Sequence, residues 1–365
     1  MALGRVEYMR WAKALPQRRY ALAASGVPPA GTDVFDPRAV EIKLDVPDAY
    51  GLPALIEAIA CRYRVSAERV LPLPGTSMAN FVAAGCVLHS GDRVLIEHPV
   101  YEPLVRVAEF LELKVIRLER RPQRRFRFDL DAVVAGLTAG ARAVMICDSH
   151  NPSGLLCPEH DLRELARLTA SHGAYLIVDE VYRDYAVINC HAPFTTAATL
   201  GDHVIVTNSL TKVYGLGPLR AGWMLAAPAV IERARDLFDH LDVVNSLPSQ
   251  QLAVAALARL DRLAERTRRI YQTGYPVYRE WLDSRADVIG YGNDGAVFEF
   301  PRLLSLEDTR PLGEWLAQEC DTSIVPGAFF GAPQHIRISF TLPAELLAEG
   351  FARLSEALDD FRKES

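Results

Sequence analysis

No apolar run in this chain is long enough to span a bilayer, and no charged-then-apolar segment stands at its N-terminal end. A cytoplasmic protein with no membrane role is therefore expected. Cys-x-x-Cys pairs are missing too. The six cysteines (Cys61, Cys86, Cys147, Cys157, Cys190 and Cys320) are scattered, several of them inside apolar runs, which predicts buried free thiols in a reducing compartment. Nor is there an excess of positive charge: the net charge of −6 argues against a general nucleic-acid binder. One basic run (Arg117, Arg120, Arg121, Arg124, Arg125, Arg127) lies between strand-like 114–118 and helix-like 129–138, where a solvated loop is expected. Internal repeats and low-complexity tracts are absent as well.

What is present is an ordinary globular balance, 50% hydrophobic and 24% charged, on 365 residues, enough for one large and one smaller domain. Seven strand-like runs stand out: 69–73, 93–96, 114–118, 142–147, 174–178, 203–208 and 221–225. Helical stretches fill most of the gaps, which predicts an α/β fold whose mostly parallel sheet is covered by helices on both faces. Residues 1–34 look irregular, broken by Pro16, Pro28, Pro29 and Gly31. A long helical region from Ser249 toward Leu282 is expected to kink or hinge at Gly274 and Pro276. The last helix carries an apolar stripe of Leu347, Phe351, Leu354, Leu358 and Phe361.

The chemistry collects where the strands end. The β-branched run Val204–Thr207 stops in Asn208-Ser209-Leu210-Thr211-Lys212, followed by glycines and Arg220. A lysine at that sheet edge is partly desolvated, which disfavours its ammonium form and makes it more nucleophilic. Ser209 and Arg220 supply a hydroxyl and a fork of donors suited to phosphate. Upstream, Val70–Leu73 leads through Pro74-Gly75-Thr76-Ser77 into an apolar helix, so that free amides face an anion; Thr76 and Ser77 also fit as simple N-caps. No Gly-Lys-[Ser/Thr] follows, so this is not a nucleotide P-loop. Asp179 ends the apolar strand Ala174–Val178, where a carboxylate is costly without a cationic partner. A magnesium ion is one such partner, but no further carboxylate cluster supports a metal there. In His335–Phe340, alternation sets Ile336, Ile338 and Phe340 on one face and Arg337 on the other.

In this order, and over nearly the whole chain, these motifs resemble the fold-type I enzymes that use pyridoxal 5′-phosphate (PLP), the aspartate aminotransferase superfamily with its class I and II aminotransferases. The resemblance implies that Lys212 is the Schiff-base lysine and that Ser209, Arg220, Thr76 and Ser77 hold the cofactor phosphate. Asp179 then pairs with the pyridine nitrogen, Tyr101 of His98-Pro99-Val100-Tyr101 stacks on the ring, and Asn151 and Tyr182 bond its phenolic oxygen. Arg337 binds the substrate α-carboxylate, with Asn151 and the backbone of Gly26 (in Ser25-Gly26-Val27) beside it. Gly51-Leu52-Pro53-Ala54-Leu55 is similar to a family helix preceded by a tyrosine that reaches the neighbouring subunit's cofactor; Tyr50 fits that place or is a packing residue. His150 is expected to be a supporting or surface residue. Asp148-Ser149 departs from the family's Asn-Pro at that place.

The resemblance also implies a large PLP-binding domain at 35–270, a small α+β domain from 1–34 and 271–365, and a homodimer with shared active sites. The expected reaction is transamination between an α-amino acid and a 2-oxo acid. A β- or γ-lyase, decarboxylase or amino-acid cyclase is the enzymatic alternative. A PLP-sensing regulator is the non-enzymatic one, disfavoured because the arm before Tyr50 lacks a helix-turn-helix pattern. No motif supports a second, acid-reading arginine at Arg18, Arg38 or Arg183.

Overall fold

The computed structural model describes residues 4–47 and 49–363, with side chains as far as Asp360. Seven strands form the central sheet: Val70–Leu73 (β1), Arg93–His98 (β2), Lys114–Glu119 (β3), Ala141–Cys147 (β4), Tyr175–Asp179 (β5), Val204–Ser209 (β6) and Gly222–Leu225 (β7). Their order is β1-β7-β6-β5-β4-β2-β3. β7 is antiparallel to both neighbours and every other pairing is parallel. β1, β4, β5, β6 and β7 are buried almost throughout, which is why they read as unbroken apolar runs rather than as alternating ones.

This topology has one consequence for function. Six strands end at the same edge of the sheet, and reversed β7 begins there. The segments 74–77, 99–101, 148–151, 179–182 and 209–212, together with Arg220, are therefore delivered to one crevice.

Helices pack around the sheets, among them Pro53–Tyr63 (α2), Thr76–Gly85 (α3), Glu102–Phe110 (α4), Leu130–Thr138 (α5), Glu159–Ser171 (α6), Asp184–Asn189 (α7), Pro228–Phe238 (α8), Leu247–Leu257 (α9) and Arg310–Glu319 (α11). The N-terminal stretch is not wholly irregular. Glu7–Ala14 forms a helix (α1), which ends before Pro16 and docks on α4. The C-terminal part carries a small antiparallel sheet of Phe298–Glu299 (β8), Val325–Pro326 (β9) and Ile336–Ser339 (β10), with β10 in the middle. The last helix, Ala344–Lys363 (α12), buries Leu347, Phe351, Leu354 and Leu358; Phe361 lies outside the described side chains.

Several expectations are corrected. The helix is not interrupted at Gly274 and Pro276: Leu260–Asp283 (α10) runs through both, and the break falls earlier, at Ala258-Arg259. Gly274 serves packing instead, because a side chain there would run into the Phe340 carbonyl oxygen. Within the basic run, Arg120 is no solvated loop residue. It is buried, bonded to Glu97 (2.5 Å) and stacked on Phe128. Among the cysteines only Cys147 and Cys157 are buried, while Cys61 and Cys190 are exposed. Arg337 is not expected in solvent and is not there: all four residues of β10 are buried.

Candidate active site

The crevice at the sheet edge holds a cavity of about 400 Å³. Lys212, Asp179, Tyr182, Asn151, Tyr101, Ser209, Thr76, Ser77 and Arg220 all line it. Nine expected site residues, drawn from separate segments, thus meet in one place.

Lys212 lies in the loop after β6, and its Nζ donates to Ser25 Oγ (2.7 Å). Burial, with Arg337 and Arg220 adding to it, pushes its pKa down to about 8, while Asp179 pulls the other way. The backbone around it is fixed on two sides: Val27 N and Tyr185 Oη both donate to the Lys212 carbonyl (3.1 and 3.0 Å). Gly26 permits this close approach, since a Cβ on it would stand 2.8 Å from that oxygen. Gly26 therefore lies against the lysine backbone, at the rim of the site.

Asp179 closes β5 and is 4% exposed. Its Oδ2 accepts from Asn80 Nδ2 (2.8 Å) and its Oδ1 from Val181 N (3.0 Å). Burial outweighs these bonds and raises its pKa to about 6. Asn80 is held by Thr207, whose Oγ1 donates to Asn80 Oδ1 (2.5 Å). Neighbouring Glu180 turns away to accept from Thr196 and Ala197, and no metal-binding cluster exists among the described residues.

A donor-rich end of the cavity is built around α3. Its N-cap is Gly75, not Thr76 or Ser77, so no side chain caps the first turn and its amides stay available. Thr76 Oγ1 donates to Ser209 Oγ (2.8 Å), and Arg220 is anchored by its Nη2 on the Pro74 carbonyl (3.1 Å). Gly75 has φ +93°, and a Cβ there would collide with the Arg220 guanidinium. Gly75→Ala is expected to cost roughly 1–3 kcal/mol in backbone strain and to displace Arg220, weakening inorganic phosphate binding about tenfold by calorimetry. Unchanged phosphate affinity would mean that this end of the cavity holds no anion.

Behind Asn151 lies an aromatic and cationic cluster around Arg337, which bonds a lining residue but does not itself line the cavity. Arg337 is fully buried; Nη1 donates to Asn151 Oδ1 (3.0 Å), Nη2 to Tyr8 Oη (2.8 Å), and Nε has no partner. The rings of Tyr8, Phe298 and Phe330 surround it at 5.1–5.6 Å. Among the described residues no carboxylate pairs with it. A buried guanidinium in that condition keeps donor capacity and an unbalanced positive charge. Tyr101 packs edge-on against Tyr8 (5.7 Å), and its hydroxyl meets Met9 Sδ (3.5 Å). Tyr182 packs on Phe298 and Tyr185, and burial raises the phenols of both Tyr101 and Tyr182 above their ordinary range.

The remaining expected residues lie elsewhere. Tyr50 does not enter this cavity; its hydroxyl donates to Asp239 Oδ2 (2.9 Å), and Arg235 lies over its ring. His150 is buried between Ser153 and the Pro99 carbonyl, and burial holds its pKa well below the usual imidazole value. Arg183 is a structural partner for buried Asp148 and for Thr195, which accounts for an acid standing where the family has Asn. Arg38 is exposed and paired with Asp36, and Arg18 reaches toward Asp321.

Sequence reasoning passed over Asn80, Tyr8, Met9 and Lys13, and named Ser25 only within the Ser25-Gly26-Val27 stretch. Only Asn80 left a signal, a lone amide inside the apolar helix that follows Ser77. The others come from the N-terminal stretch, which reaches the cavity through long-range packing alone.

The chain matches the family described as aminotransferase class I and II over residues 43–354. It is 27% identical to an aspartate aminotransferase of Streptomyces avermitilis over 86% of this chain and 81% of that one. It is 29% identical to the capreomycidine synthase of Streptomyces vinaceus, over 82% and 77%. In fold it superposes on a PLP-dependent aminotransferase from Streptococcus suis with a TM-score of 0.91 over the whole of both chains, at 23% identity.

Proposed function

Because this chain belongs to the class I and II aminotransferases, we propose that its cavity holds pyridoxal 5′-phosphate on Lys212 and moves an amino group between an α-amino acid and a 2-oxo acid. The observation that carries this reading is the pairing, in one cavity, of a buried carboxylate (Asp179) with an amine whose pKa has fallen to about 8 (Lys212). The donor set fits the cofactor. The α3 amides, Thr76, Ser77, Ser209 and Arg220 suit its phosphate, Asp179 its ring nitrogen, Asn151 and Tyr182 its phenolic oxygen, and Tyr101 its flat face. When bound, the cofactor supplies an electron sink that stabilises negative charge at the substrate Cα.

The chain's own residues do the rest. Arg337 anchors the substrate α-carboxylate with its fork of donors, fixing which bond at Cα faces the lysine. Lys212, present as a free amine near pH 8, takes the Cα proton on Nζ and returns it, acting as base and then acid. Asp179, held by Asn80 and Val181, keeps a negative charge beside the ring nitrogen. The aromatic wall of Tyr8, Tyr101 and Phe330 excludes water.

Two further elements of this reading concern assembly. Tyr50, turned outward from its own cavity, suits a contact with a second copy. The exposed apolar side chains Leu44, Val243 and Val244 suit a homodimer interface. The division into a large part (35–270) and a small part (1–34 and 271–365) goes with it, α10 running unbroken from one into the other.

The fold is shared with a PLP-dependent cyclase, OrfR (26% identity, TM-score 0.86), which keeps cyclisation as a second reading. Purified protein loaded with PLP and mixed with a panel of amino acids decides between them. Transamination changes the cofactor's absorbance stoichiometrically, releases a 2-oxo acid and requires an oxo-acid acceptor to turn over. Turnover without an acceptor contradicts it.

A further inference from the structure

Helix α1 has only eight residues and starts at Val6, which has no side chain able to cap it. A helix so short is not stable alone. Its free first-turn amides are satisfied from another helix: Glu102, the first residue of α4, accepts from Tyr8 N at Oε2 (2.6 Å) and from Glu7 N at Oε1 (3.2 Å). Glu102 is mostly buried and is held by Arg106, whose Nε donates to Oε1 (2.8 Å). A carboxylate at a helix N-terminus also meets the positive end of the helix dipole. The residue whose amide it grips most tightly, Tyr8, is the one whose hydroxyl accepts from Arg337 and whose ring packs on Tyr101 and Phe330.

We propose that Glu102 is a positioning residue: it caps α1 from outside, holds Tyr8 against Arg337, and thereby sets the affinity for the substrate carboxylate without touching substrate or cofactor. This rests on the reading of Arg337 as the α-carboxylate receptor. Loss of the cap undocks α1 and frees the guanidinium to reorient, so substrate binding suffers while the chemistry at Lys212 persists.

The test uses PLP-loaded Glu102→Ala, Glu102→Gln, Tyr8→Phe and the Glu102→Ala/Tyr8→Phe pair, with Arg337→Ala as a reference. KM and kcat for the best amino donor are measured beside the cofactor absorbance. Expected for Glu102→Ala is a KM raised about tenfold, with kcat within about threefold of the parent and an unchanged cofactor spectrum. Glu102→Gln, which keeps the shape and one acceptor, falls between. The pair shows no greater rise than the larger single effect, because the two residues act in series. An unchanged KM in Glu102→Ala beside a raised KM in Arg337→Ala overturns the proposal and leaves the site reading intact. Multiplying effects in the pair overturn it as well. An unchanged KM in Arg337→Ala removes the premise and the proposal together.

Discussion

Lys212→Ala is expected to fold, to bind PLP only reversibly and to lose at least about 10⁴-fold in turnover, because nucleophile and proton carrier are removed together. Stopped-flow absorbance and steady-state assay read both effects. Turnover within tenfold of the parent would remove Lys212 from the chemistry. The same amine makes a pH prediction. Its pKa is pushed down to about 8 by burial and by the Arg337 and Arg220 charges. The proton must leave before Nζ can attack an aldehyde, so the rate of PLP uptake by the cofactor-free protein rises with pH. Below pH 8 it rises about tenfold per unit, and above pH 8 it levels off. An amine with its ordinary value of 10.5 would keep rising past pH 9.

Asp179→Asn should be nearly as damaging, with PLP retained on Lys212 but turnover lower by roughly 10³-fold. The amide keeps the shape of the carboxylate and loses its charge. At this site that charge is expensive: burial has raised the Asp179 pKa to about 6, and Asn80, Val181 and the nearby Lys212 charge offset only part of the cost. A cost of that kind persists in a fold when the charge has a ligand to serve. The measurement is kcat in the half-reaction with a saturating amino donor, beside the cofactor spectrum. A variant that turns over at the parent rate would leave Asp179 as a structural acid.

Much of this was legible in the chain because it is written locally. Five of the strands are buried almost throughout and read as continuous apolar runs, and all seven could be bounded to within about two residues. Since parallel strands deliver their ends to one edge, the polar residues that follow each run had to meet. Lys212, Asp179 and Asn151 follow from that logic, whereas Arg220 reaches the same edge because it precedes the reversed strand β7. The rest depends on distant packing. Tyr8 is invisible as an arginine partner because 329 residues separate it from Arg337. Helix α1 is capped by a residue 94 positions away from Tyr8, so its own sequence carries no start signal. Pro276 reads as a helix breaker locally, yet α10 stays whole, pressed along α12 and against the end of β10. Arg120 reads as one of six loop arginines until Glu97, 23 residues earlier, is seen to bury it.

The central claim is that one amine, on residue 212, carries the cofactor. Borohydride reduction of the PLP-loaded protein followed by peptide mass mapping tests it most directly. The account predicts a pyridoxyl-phosphate adduct on the peptide containing Lys212 and on no other, lost in Lys212→Ala. A label on a different lysine, or none at all, would contradict it.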